Sequence, residues 1–191
     1  RQVDSLNPNY LFSDVEGCYA LAWGAPLDAH WSAGANLKWL YQQLDQTRAQ
    51  GAGLDAGLLW QSGDGWRLGF STQDVFTRLD WQTGYREYFP VRFNLGAAYT
   101  YAFEGSHAWV ASLDMEKDLS SRLGQMRGGL EYGWRELLFV RGGNKNGFWS
   151  LGGGVRLPSF GWGRASLNLD YAAVQDAIDG WDHWMTLGLR F

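Results

Sequence analysis

Apolar and polar residues alternate one for one along most of this chain. Residues 90–103 set Val91, Phe93, Leu95, Ala97, Tyr99, Tyr101 and Phe103 against Arg92, Asn94 and Thr100. Residues 31–44 set Ala33, Ala35, Leu37, Trp39 and Tyr41 against Ser32, Asn36, Lys38 and Gln42. Further on, Trp109, Ala111, Leu113 and Met115 oppose Ser112, Asp114 and Glu116. Met126, Leu130, Tyr132 and Trp134 oppose Gln125, Arg127 and Glu131, and Leu167, Leu169 and Tyr171 oppose Asn168 and Asp170. A period of two sends successive side chains to opposite faces, so each segment predicts a strand with one apolar face. The pattern predicts about eleven strands of roughly nine to twelve residues, the length that crosses a bilayer when tilted. Their spans are 17–25, 31–44, 52–61, 66–74, 90–103, 108–117, 123–134, 136–143, 147–157, 164–173 and 181–191. No stretch carries a helical period and no linker divides the chain, so one all-β domain over 1–191 is expected.

The connections carry a second signal. Those at 26–30, 62–65, 104–107, around Arg135 and at 158–163 read as short. Those at 45–51, 75–89, 118–122, 144–146 and 174–180 read as longer or more polar. Outer-membrane barrels have short periplasmic turns and longer extracellular loops, so the second set is expected outside. Tryptophan supports two interfaces. Trp23, Trp31, Trp60, Trp66, Trp109, Trp134 and Trp162 fall near the short turns, and Trp81, Trp149, Trp181 and Trp184 toward the long loops. Indole prefers the headgroup level, which gives a membrane barrel two aromatic belts.

Composition narrows the class. Gly is 26 and Trp 12 of 191 residues, both well above ordinary usage. Apolar content is 46%, yet mean hydropathy is -0.32, so apolar residues are dispersed among polar ones. No run of about 18 apolar residues exists, which excludes a transmembrane helix in this sequence but suits a barrel that meets lipid with alternate residues. A net charge of -4 argues against a nucleic-acid partner. Cys18 is the one cysteine, so no internal disulfide forms.

The ending is Met185-Thr186-Leu187-Gly188-Leu189-Arg190-Phe191. It resembles the C-terminal signal by which outer-membrane barrels are recognised and inserted, with Met185, Leu187, Leu189 and Phe191 as the apolar set. A last strand that ends at the periplasm makes the first predicted strand run down from the outside. Single-chain bacterial barrels have even strand numbers with both ends in the periplasm. About eleven strands therefore imply an odd number of further strands, lying N-terminal to this sequence or on another chain, because an open sheet edge does not persist in lipid. Residues 181–191 and 17–25 are then expected not to pair with each other.

From about residue 18 onward the chain resembles the PorV/PorQ group of outer-membrane proteins, relatives of FadL-type barrels. The matching stretches include Tyr19-Ala20-Leu21-Ala22-Trp23-Gly24, Ser32-Ala33-Gly34-Ala35-Asn36-Leu37-Lys38 and Gly53-Leu54-Asp55-Ala56-Gly57. Leu113-Asp114-Met115-Glu116-Lys117, Gly129-Leu130-Glu131-Tyr132 and Phe139-Val140-Arg141-Gly142-Gly143 follow in order. Ser150-Leu151-Gly152-Gly153-Gly154-Val155-Arg156 and Leu169-Asp170-Tyr171-Ala172 complete the set. The resemblance implies a transmembrane antiparallel up-and-down β-barrel of about fourteen strands, of which this chain supplies about eleven. It also implies a place beside the type IX secretion translocon, receiving exported cargo protein and handing it on. The alternative is a FadL-like channel for small hydrophobic molecules.

Candidate chemistry is sparse. His30, His107 and His183 do not cluster with a nucleophile, and His/Cys metal spacing is absent, so no catalytic residue, cofactor or metal ligand is assigned. The expected polar face carries Lys38, Asp55, Arg67, Arg92, Asp114, Glu116, Arg127, Glu131, Arg141, Arg156, Asp170 and Arg190. Opposite charges on adjacent strands are expected to pair and brace that face. The segment 75–89 reads as a long outer loop carrying Phe76, Trp81, Tyr85, Tyr88 and Phe89. Aromatics favour protein interfaces, which makes these five the partner-contact candidates. The remaining expected partner is outer-membrane lipid, and the expected location is the bacterial outer membrane.

Overall fold

The computed structural model describes residues 13–103, 106–158, 165–176 and 180–190. The strands are β1 (Asp14–Pro26), β2 (Trp31–Leu44), β3 (Thr47–Gln61), β4 (Trp66–Trp81), β5 (Arg86–Tyr88) and β6 (Arg92–Phe103). Then come β7 (His107–Asp118), β8 (Gln125–Trp134), β9 (Leu138–Lys145), β10 (Phe148–Leu157), β11 (Ser166–Asp176) and β12 (Gly180–Arg190). All neighbours are antiparallel, in the order β1-β2-β3-β4-β6-β7-β8-β9-β10-β11-β12, with the short β5 pairing β4 off this path. This is one up-and-down meander. Eleven strands lie on the path, so β1 and β12 run in the same direction. Among the described residues β1 pairs only with β2 and β12 only with β11.

The sheet is a single layer with two unlike faces. The register aligns Leu21 with Leu37, Leu37 with Leu54, Leu95 with Met115, Leu130 with Gly142 and Leu169 with Leu187 on one face. Side chains there stay open, from 38% exposed at Leu54 to 74% at Leu21. Among the described residues only Ala49 and Leu79 are buried apolar side chains. The accessible surface is 14607 Å², against about 9,200 Å² for an ordinary folded monomer of this mass. The difference reflects a layer with no second layer on its apolar face.

Several boundaries differ from the expectation. The stretch 75–89 is mostly sheet: 75–81 complete β4, and 86–88 form β5. The cause is a pair of irregularities in β4, where the β3 register slips between Ala52 and Leu54 and again between Leu54 and Ala56. Asp74 and Phe76 take left-handed φ values of 59° and 56° there. Each bulge inserts one residue and shifts the alternation, so the sequence pattern loses phase although the strand continues. Residues 47–51 belong to β3, leaving only 45–46 as a turn. Asn146-Gly147, both at positive φ, close the β9–β10 hairpin in two residues, as that dipeptide favours. The length contrast between the two ends of the sheet therefore rests on 82–91. Trp162 and parts of 158–163 and 174–180 lie outside the described residues.

Tryptophan placement is corrected at two positions. Trp184 aligns with Ala172, which aligns with Gly152 and then Arg141, so Trp184 stands on the polar face. Trp81 aligns with Ala49 and likewise leaves the apolar face, where its indole donates to Glu87 Oε2 at 3.2 Å. Trp23, Trp31, Trp66, Trp109 and Trp134 do stand on the apolar face near the 27–30, 62–65 and 135–137 turns, with Trp149 and Trp181 near the opposite end.

Candidate functional site

The polar face carries two ion-pair networks. In the first, Lys38 of β2 sits between two carboxylates, 2.7 Å from Asp55 Oδ1 and 2.5 Å from Asp74 Oδ1. Arg92 of β6 donates to the other Asp74 oxygen at 2.7 Å. Asp55 also accepts the Asp74 backbone N–H at 2.9 Å and the Asn36 side-chain amide at 3.0 Å. The bulge makes this possible. The left-handed turn at Asp74 aims its carboxylate toward Lys38, and Asp74 is only 7% exposed. Sequence reading placed Lys38, Asp55 and Arg92 on this face but missed Asp74, because the bulge leaves no local composition signal.

The bulged strand also presses on β3. A Cβ at Gly51 would lie 1.8 Å from the Arg78 carbonyl oxygen, and one at Gly53 would lie 2.1 Å from Thr77 Oγ1. Glycine at both positions is what lets β4 fold this close. Thr77, 2% exposed, Ala49 and Leu79 on these two strands are buried as well.

The second network crosses β8 to β11. Arg141 donates Nε to Glu131 and an amino group to Asp170, both at 2.6 Å. Asp170 is two strands away, so the guanidinium must pass over β10. Glycine at 154 clears the way: a Cβ there would stand 2.3 Å from Asp170 Oδ1 and 3.3 Å from the Arg141 amino group. Arg141 and Arg156 also lie over the Phe139 ring at 5.4 and 4.8 Å. Between the networks Arg127 pairs with Glu116. Cross-strand pairing of opposite charges thus holds at Lys38, Asp55, Arg92, Glu116, Arg127, Glu131, Arg141 and Asp170.

Two shallow grooves lie on this face. One, about 560 Å³, is lined by Gly34, Asn36, Asp55, Gly57, Ser71 and Asn94 among others. The other, about 460 Å³, is lined by Ser112, Gly129, Arg141, Ser150, Asp170 and Trp184 among others. Their linings mix these small and polar residues with apolar ones, Trp23, Leu58 and Phe70 in the first and Leu130, Leu151 and Val174 in the second. Among the described residues no three His, Cys, Asp or Glu side chains converge as a metal site. The histidines are spread out: His107 Nδ1 lies 2.6 Å from the Tyr132 hydroxyl, His183 Nδ1 2.7 Å from the Tyr171 hydroxyl, and His30 Nδ1 3.0 Å from the Gln61 carbonyl oxygen.

The five aromatic candidates do not act as one loop. Phe76, at its bulge, is 90% exposed. Tyr85 in the β4–β5 turn and Tyr88 on β5 are also exposed. Trp81 ends β4 and is half-buried by Glu87, and Phe89 is half-buried with its N–H bonded to the Thr77 carbonyl. The structure thus leaves Phe76, Tyr85 and Tyr88 as an exposed aromatic set. At the end of the chain Met185, Leu187 and Leu189 share the apolar face of β12, and Phe191 lies outside the described residues. No protein-family model matches the chain, and no curated protein matches it.

Proposed function

We propose that this chain forms most of the wall of an outer-membrane β-barrel that acts without catalysis, as a PorV-like partner of exported protein at a type IX secretion translocon. The observation that carries the membrane part is the two-faced single layer. Large apolar side chains stay exposed on its apolar face from Leu21 on β1 to Leu187 on β12, where soluble monomers leave open patches of only a few hundred Å². The ion-paired face suits a wet interior. Unpaired backbone groups along β1 and β12 would each cost several kcal/mol in hydrocarbon. Because those edges are parallel, antiparallel closure takes an odd number of additional strands, from the same gene product or another chain.

The secretion role rests on the sequence resemblance and on exposed Phe76, Tyr85 and Tyr88 at one end of the sheet. The ion pairs that cross the polar face at Lys38–Asp74 and Arg141–Asp170 weigh against a conduit for hydrophobic molecules, which needs an apolar path. A pull-down from detergent-solubilised outer membrane tests the role. A very large translocon barrel among the prey supports it, and co-purifying hydrophobic ligand with no protein partner overturns it. Orientation is tested in a Cys18→Ser background on intact cells. An impermeant maleimide should modify Thr83→Cys and Arg122→Cys but not Asp64→Cys; the opposite pattern reverses the barrel.

A further inference from the structure

The apolar face changes character sharply near the β4–β5 end. Following the register across the strands, Leu21, Leu37 and Leu54 form an apolar row. The next row toward that end holds Tyr19, Trp39, Ala52, Arg78 and Tyr88. The row after it holds Tyr41, Gln50, Asp80 and Arg86, with Arg48 one step beyond. Successive rows on one face are about 7 Å apart. Hydrocarbon-facing leucine thus gives way to aromatic rings and then to guanidinium groups within roughly 14 Å.

Three arginines share this end of the face with one carboxylate, and two of them pair with it. Asp80 pairs with Arg78 at 2.9 Å and Arg86 at 3.3 Å. Arg48 has no ion-pair partner among the described residues. Glu87 of β5 is held on the opposite face, where it accepts from the Trp81 indole. The patch carries a surplus of two positive charges on a chain whose net charge is -4. It also encloses space: a recess of about 770 Å³ is lined by Trp39, Arg48, Gln50, Phe76, Arg78 and Asp80 among others. Phe76, at its bulge, and Trp39 both line it.

We propose that this recess binds the phosphate headgroup of a membrane lipid, with the lipid's chains lying down the Leu37–Leu54 face. The site rests on the membrane reading above. Arginine offers paired N–H donors that match phosphate oxygens, and its long stem lets the charge reach the headgroup level from a strand in hydrocarbon. Trp39, Tyr88 and Phe76 occupy the interfacial level where aromatic rings settle. Charge complementarity selects an anionic lipid over a zwitterionic one, since Asp80 neutralises only one of three cations.

Native mass spectrometry of the full chain in detergent tests this, with dihexanoyl phosphatidic acid as probe. One phosphatidic acid should bind, dihexanoyl phosphatidylcholine at least tenfold more weakly, and inorganic phosphate at least tenfold more weakly. Arg48→Gln/Arg78→Gln should weaken phosphatidic acid binding at least tenfold. Arg48→Gln alone, at an exposed side chain with no partner to lose, should weaken it about threefold by removing one charged hydrogen bond. Arg135→Gln at the far end of the sheet should change nothing. Equal binding of the two lipids, equal binding of inorganic phosphate, or an unaltered double variant that keeps its heat-modifiable migration overturns the site. A chain that fractionates with soluble proteins overturns the membrane reading instead, so the two failures are distinguishable.

Discussion

In the Lys38–Asp55–Asp74–Arg92 corner, room for the charges comes from residues inserted into β4. In the Glu131–Arg141–Asp170 network, room comes from side chains left out of β10. The insertion packs its charges tightly: Lys38 and Asp74 side chains are 13% and 10% exposed, and backbone presses on Gly51. The omission leaves Arg141 and Asp170 each 39% exposed. Both networks tie non-adjacent groups across one face. The corner does so with little steric slack and with little water around Lys38 and Asp74, Arg92 alone reaching out at 41% exposed; the ladder keeps both. Mutations of the same chemical kind should therefore separate the two regions by a wide margin.

The largest separation is steric. At Gly51 an added methyl meets backbone, the Arg78 carbonyl oxygen at 1.8 Å and its carbon at 2.8 Å. At Gly142 the nearest atom to an added Cβ is the flexible Leu151 methyl at 3.9 Å. Gly51→Ala is expected to cost more than about 3 kcal/mol and to abolish the heat-modifiable folded band. Gly142→Ala should migrate like the parent. Equal behaviour of the two would remove the steric half of the contrast.

Charge removal comes next. Asp74→Asn keeps a residue type that tolerates left-handed φ but strips a carboxylate from between Lys38 and Arg92. Breaking a mostly buried pair costs about 3 kcal/mol. Asp170→Asn leaves Arg141 its Glu131 partner in a half-exposed setting, where a lost pair costs about 1 kcal/mol or less. Urea midpoints of the refolded protein in detergent should fall in that order. An equal or reversed order means that water reaches the corner as freely as the ladder.

A smaller effect tests why β10 is glycine-rich. Gly154→Ala intrudes on Asp170 and Arg141 at their mobile ends, so the pair should break while the strand survives, at about 1 kcal/mol. If Gly154 matters through that pair, Gly154→Ala should cost almost nothing more once Asp170→Ala is present. Strict additivity in the double-mutant cycle would assign the glycine to backbone packing instead.

These contrasts also mark what was legible. The ladder could be read because period two runs unbroken through β7 to β11, so Glu131, Arg141 and Asp170 fell on one face by counting. The corner could not. Asp74 and Phe76 adopt left-handed φ without being glycine, and the two extra residues cancel the alternation that would have extended β4 to Trp81. By its pattern the segment reads as a loop from that point, which leaves Asp74 out of the site and hides that Arg78 shares a face with Trp39. Thr47–Gly51 was lost for a related reason: a two-residue Asp45-Gln46 turn carries no glycine to mark it. Trp184 shows the opposite error. Counting back from Met185 places it on the polar face, but position along the strand was allowed to stand for face.

The smallest expected effect lies at the far end of the β1–β2 hairpin, in a turn outside either network. Asp28 Oδ1 accepts the backbone N–H groups of His30 and Trp31, both at 2.7 Å. Those two bonds, the His30 one first, hold its carboxyl below the ordinary value of 3.8. A carboxylate whose pKa is depressed on folding stabilises the fold fully above its unfolded pKa, and that increment is lost as pH falls through the lower folded value. Asp28→Asn keeps an oxygen for the turn but not the charge. Its urea midpoint should lie slightly below the parent's at pH 7, by less than for either ion-pair variant. The gap should close as pH drops through the acid end of the carboxylate range, because only the parent has a proton to take up. Asp74→Asn supplies the control at pH 7, where its larger deficit should persist in the Asp28→Asn background. A gap at Asp28 that widens toward acid pH would mean that the turn is held by something other than these two hydrogen bonds.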